Sequence, residues 1–139
     1  MQLLLPMSVL MLLTFIVLIL MVLSRITAVQ SKRVKAGYFK LYNNKSDQEI
    51  PKHIIQIGKN FSNLMEMTPL FYITCLIYMH LNQINDFVIV LAWGYVAFRL
   101  IHSIIHITSN HVLYRMLTFA AGCVSLMIMW INLIGKNFL

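Results

Sequence analysis

Four apolar stretches, about Leu3–Leu23, Ser62–Leu81, Phe87–Thr108 and Val112–Ile134, each come close to the roughly 20 residues that a helix needs to cross a bilayer. In a chain of 139 residues they leave one connection of any size, residues 24–61. Inside hydrocarbon each backbone N–H and C=O has to be satisfied within the protein, so apolar stretches of this length fold as helices. The expected architecture is therefore an all-α integral membrane protein, a four-transmembrane-helix bundle forming a single domain over residues 1–139. Composition agrees. Hydrophobic residues make up 60% of the chain and charged residues 11%, against about 45–50% and about 25% in soluble domains. Water-soluble enzymes, disulfide scaffolds and disordered chains are excluded. Cys75 and Cys123 are isolated from each other in apolar runs, so neither a disulfide nor a thiolate metal site is indicated.

The first stretch lacks a basic segment before it and a small-residue cleavage site after it, and reads as a retained helix rather than a secretory signal. Charge gives the orientation. Arg25, Lys32, Arg33, Lys35, Lys40, Lys45, Lys52 and Lys59 all lie between the first two helices, with only Asp47 and Glu49 as acids. The connection "NQIND" between helices two and three has no cation, and Lys136 is the only one near the C-terminus. The positive-inside rule then makes residues 24–61 a basic cytoplasmic loop and puts both termini on the opposite side. The net charge of +7 is explained by topology and anionic membrane lipids, with no nucleic-acid partner. Within this loop "GYFKLYNNKSDQEIP" is expected to be irregular.

Polar residues converge in the cytoplasmic half of the expected bundle. In "FRLIHSIIH", Arg99, His102 and His106 stand at offsets 0, 3 and 7, on one helical face, with Ser103 beside them. In "KNFSNLMEMTP", Lys59, Asn63 and Glu66 repeat the pattern at 0, 4 and 7, and Arg115 falls in the first turn of helix four. Ionisable residues inside a membrane face the protein interior and find a partner. One reading is structural: Glu66 and Arg99, of opposite sign, pair and hold two helices together. The set as a whole has far more polar capacity than one ion pair requires, and its surplus is cationic, which points to an anionic ligand. His102 and His106 have the spacing of a metal-chelating pair, but no second such pair accompanies them, and no metal is expected.

These residues resemble the superfamily of membrane-associated proteins in eicosanoid and glutathione metabolism, MAPEG. Members carry a basic residue, Asn, Glu and Pro near the start of helix two, where this chain has Lys59, Asn63, Glu66 and Pro69. A second signature of Arg, His, a small hydroxyl residue and Tyr is met by Arg99, His102, Ser103 and His106. The arginine that follows nine positions after the tyrosine corresponds to Arg115. The chain departs from the pattern where His106 and Phe119 replace tyrosines, Met116 replaces a serine and Lys59 replaces an arginine.

The resemblance implies a homotrimer in a membrane, in the prokaryote-type form a bacterial inner membrane. Sites between subunits would take glutathione as co-substrate, and a lipophilic substrate would enter from the lipid. Lys59, Asn63, Glu66, Arg99, His102, Ser103 and His106 are the implied ligand-binding residues, and Arg115 is the implied catalytic residue that stabilises the thiolate. The implied activity is a glutathione-dependent transferase or peroxidase acting on lipophilic electrophiles or lipid hydroperoxides. A non-enzymatic lipid-binding or adaptor protein of the same fold is the alternative, and a small transporter is a third, disfavoured because the outer half of the bundle offers no polar path.

Overall fold

The computed structural model describes residues 2–41 and 50–138, and these contain helices, turns and no strand. The helices are α1 (Leu4–Gln30), α2 (Ala36–Leu41), α3 (Lys52–His80), α4 (Asp86–Ile107) and α5 (Val112–Phe138). Three of them, α1, α4 and α5, are long and apolar enough to cross a membrane. With 29 residues α3 is equally long, but it stands outside that set, because Lys59, Asn60, Asn63 and Glu66 crowd its first half.

Some boundaries differ from the expectation. The first helix continues past Leu23 to Gln30, and α3 begins at Lys52 rather than near Ser62. Hydropathy marks where an apolar stretch stops, whereas a helix stops where its hydrogen bonding is closed off. Pro51 precedes α3 with φ −55°, a torsion its ring already fixes, and its carbonyl accepts from Ile54 N–H at 3.0 Å. Of the loop expected to be irregular, residues 37–41 belong to α2, while residues 42–49, with the acids Asp47 and Glu49, lie outside the described residues.

Local chemistry sets the turns. Lys32, Asn82 and Asn110 adopt φ of 56°, 53° and 50°, each just beyond the end of a long helix. Asparagine tolerates this left-handed region better than most residues. At the start of α4, the Asn85 side chain accepts from Val88 N–H at 3.0 Å, and Asp86 places an acid in the first turn.

Leu10, Leu13 and Val17 of α1, Leu64, Phe71 and Cys75 of α3, Val88, Ala92 and Val96 of α4, and Leu126, Met129 and Leu133 of α5 form one buried cluster. Its two tyrosine hydroxyls are both hydrogen-bonded. Phe71 and Tyr95 stack at 4.6 Å, and the Tyr95 hydroxyl donates to Met67 O at 3.1 Å. The Tyr78 hydroxyl bonds Met129 O at 2.7 Å, joining α3 to α5. Thr14, Thr74 and Ser125 each donate to the carbonyl four residues back, the local solution open to a hydroxyl in an apolar helix. The outer surface stays apolar, with Leu5, Leu12, Phe15, Val90, Ile104 and Ile131 exposed.

Candidate functional site: a buried cationic pocket

Arg99, His102, Ser103 and His106 lie on the face of α4 that packs against α3 and α5, and all four are buried, Arg99 to 1% exposure. Taking a guanidinium out of water costs several kcal/mol even after relaxation, so its surroundings decide whether the arrangement holds. Nη1 of Arg99 donates to Asn63 Oδ1 at 2.9 Å, and Nη2 lies 3.9 Å from Cys123 Sγ. The guanidinium carbon sits 4.7 Å from the centre of the Phe119 ring and 5.1 Å from that of Tyr95. A desolvated cation on an aromatic face gains about 2 kcal/mol. Gly122 belongs to the same contact, since a Cβ there would lie 3.7 Å from Arg99 Nε. Nε is itself buried with no partner.

One pairing expected from the sequence does not form. Glu66 is exposed on the other side of α3, and Arg99 turns to Asn63 instead. The physical reason is angular. Buried positions on α3 run through Ile57, Asn60, Leu64, Thr68, Phe71, Cys75 and Tyr78, and Asn63 lies at the edge of that stripe. Lys59 and Glu66 stand off it, both exposed. Shared helical phase therefore did not give the three α3 residues a shared environment.

His102 is held from α5, and Ser103 from α3. His102 Nδ1–H donates to the carbonyl of Arg115 at 2.9 Å, which directs Nε2 elsewhere, buried and without a partner. The His102 and His106 rings are 5.6 Å apart, and His106 Nδ1 is also buried and unpartnered. Among the described residues no group of three or more His, Cys, Asp or Glu is placed to hold a metal ion. Ser103 Oγ accepts from Asn60 Nδ2 at 2.6 Å. Asn60 is fully buried, and its Oδ1 has no partner. Sequence reasoning passed over Asn60, although a single amide recurring in phase with Leu64 and Phe71 was a readable signal.

Arg115 is half-buried in the first turn of α5. Its Nη1 donates to Asn110 Oδ1 at 2.6 Å, and its buried Nε is unpartnered. Asn63, His102, Arg115, Val112, Met116 and Phe119 line a cleft of about 350 Å³. Three of these residues are polar and three apolar, so the cleft offers both charge and apolar contact to a ligand. Of the site residues expected from the sequence, the structure brings together Asn63, Arg99, His102, Ser103, His106 and Arg115 around this region. It leaves Lys59 and Glu66 on the exposed side of α3. Asn60, Asn110 and Cys123 join the neighbourhood unannounced.

The family model of the MAPEG family matches residues 3–135, essentially the whole chain. No curated protein and no solved structure matches it.

Proposed function

Because the chain belongs to the MAPEG family, we propose that the cleft beside its buried cationic face binds glutathione and that the protein is a glutathione-dependent transferase or peroxidase for lipophilic electrophiles or lipid hydroperoxides. The observation that carries this reading is Arg99: a guanidinium at 1% exposure whose partners among the described residues are an amide, a thiol and two aromatic rings. Among the described residues no carboxylate neutralises it; it lies behind Asn63 and Phe119, two residues that line the cleft with a second cation, Arg115. A dicarboxylate peptide supplies the missing charge.

In this reading α3 is a fourth membrane-spanning helix, residues 24–61 lie in the cytoplasm, and three subunits assemble with the sites between them. The exposed Lys59 and Glu66 then meet a neighbour or the ligand rather than lipid. The chemistry follows from Arg115. A thiol has an unperturbed pKa of about 8.5, and only the thiolate is a competent nucleophile. A permanently charged guanidinium at the start of α5, where the helix dipole is also positive, favours that anion. The thiol gives its proton to water, the thiolate sulfur attacks the electrophilic centre, and a carbon–sulfur bond forms as the bond to the leaving group breaks and that group departs with its electron pair. Met116 and Phe119 line the apolar side on which such a substrate would lie.

The test is titration of detergent-purified protein with glutathione, followed by calorimetry and by thiolate absorbance in the ultraviolet. Wild type is expected to bind and to show thiolate at neutral pH. Arg115→Ala is expected to bind within about tenfold of wild type, roughly 1.4 kcal/mol, because the other cations still hold the carboxylates. It should lose the thiolate signal and turnover of a model electrophile. Binding without thiolate in the wild type would replace the enzymatic reading with lipid binding.

A further inference from the structure

The turn between α4 and α5 does more than reverse the chain. Asn110 has φ 50°, and its N–H donates to Ile105 O at 2.7 Å, closing the last turn of α4. The left-handed residue of such a turn is usually a glycine, and asparagine is the residue that replaces it with least strain. Unlike glycine, asparagine brings an amide. Here that amide reaches forward to the next helix, where Oδ1 accepts from Arg115 Nη1 at 2.6 Å. The other end of Arg115 is fixed as well, because its carbonyl accepts from His102 Nδ1–H at 2.9 Å and its N–H donates to His111 O at 3.1 Å.

We propose that Asn110 is a positioning residue: it locks the heading of the Arg115 guanidinium, at the edge of the cleft that Arg115 lines, so that its charge is held toward an anion bound there. The use of this clamp in thiolate formation rests on the function proposed above. The clamp itself does not. A neutral amide suits the task better than a carboxylate would. It takes one N–H of the guanidinium in a hydrogen bond while leaving the positive charge uncompensated, whereas an aspartate would satisfy the same N–H and cancel much of the charge needed for the ligand. Among the described residues Asn110 is the only side chain hydrogen-bonded to the Arg115 guanidinium, so without it the side chain is free to sample other rotamers.

Two substitutions separate positioning from turn formation. Asn110→Gly keeps the left-handed backbone and removes the amide. Asn110→Asp keeps the acceptor and adds a negative charge. The full-length protein in detergent is treated with phenylglyoxal, which modifies accessible arginines, and modification of Arg115 is followed by peptide mass spectrometry. The expected result is at least fivefold faster modification of Arg115 in Asn110→Gly, with a melting temperature close to wild type, and no acceleration in Asn110→Asp. With glutathione, Asn110→Gly should lower kcat for a model electrophile at least tenfold while KM for glutathione changes less than threefold. Asn110→Asp should instead raise that KM, because its charge opposes the anion. Equal modification rates in wild type and Asn110→Gly overturn the proposal, as does a loss of kcat that merely tracks a fall in melting temperature. If the wild type forms no thiolate, the transferase reading fails, and the modification rates alone decide whether Asn110 holds Arg115.

Discussion

At the level of single residues, the partner of Arg99 is the point on which sequence and structure part. The α4 face was legible because Arg99, His102, Ser103 and His106 share a helical phase and are too costly to turn toward lipid, and all four are buried. Opposite charge made Glu66 the expected partner, but charge does not report which side of α3 a residue occupies. The structure gives the role to Asn63, 2.9 Å from Nη1, and leaves Glu66 exposed. A double-mutant cycle on thermal stability distinguishes the two. Arg99→Met combined with Asn63→Ala is expected to show a coupling of about 1.5–3 kcal/mol, the range for hydrogen bonds to charged groups. Arg99→Met combined with Glu66→Gln is expected to be additive within about 0.5 kcal/mol. The reverse ranking would restore the ion pair.

Among the helices, the contact between α4 and α5 sets how closely Arg99 is enclosed. Small residues at the interface let membrane helices approach closely, and two glycines do so here. A Cβ on Gly94 would lie 3.6 Å from Ser125 Oγ, and one on Gly122 would lie 3.7 Å from both Arg99 Nε and Phe98 Cβ. These are ordinary contact distances with no room beyond a methyl. Gly122→Ala is therefore expected to be tolerated, within about 1 kcal/mol of wild type, since alanine also favours the helix. Gly122→Leu is expected to cost about 1–3 kcal/mol through overpacking, and to weaken glutathione binding by displacing the guanidinium. Thermal melts and a glutathione titration of the two variants check both statements, and a tolerated leucine would show that the helices are not held at this distance. The positions of the four long helices could be read from apolar stretches alone, but neither their ends nor the short α2 could. The closure of α4 at Asn110 and the start of α3 after Pro51 depend on torsions and single hydrogen bonds that hydropathy does not register.

In the molecule as a whole, the exposed face of α3 carries charge that a single chain leaves uncovered. Lys59 and Glu66 stand there among Met65, Leu70, Ile73 and Leu76, all exposed. If α3 spans the membrane as proposed, a lone chain would place Glu66 badly, because a charged side chain facing hydrocarbon costs a few kcal/mol at the centre of a helix on insertion scales. The cleft poses the same problem, because Arg115 borders an opening on the outside of the subunit. Covering both with further copies of the chain removes both costs, and this is the physical content of the proposed homotrimer. It has a consequence that a self-contained subunit would not share. If the ligand site is completed by a neighbour, dissociating the assembly must abolish glutathione binding without unfolding the helices. Native mass spectrometry in a mild detergent is expected to give trimers. In a harsher detergent that yields monomers, circular dichroism should retain its helical signal while glutathione affinity falls at least a hundredfold, about 2.7 kcal/mol. Monomers that bind as tightly as the assembly would place the whole site within one chain and leave the charge on α3 to some other partner.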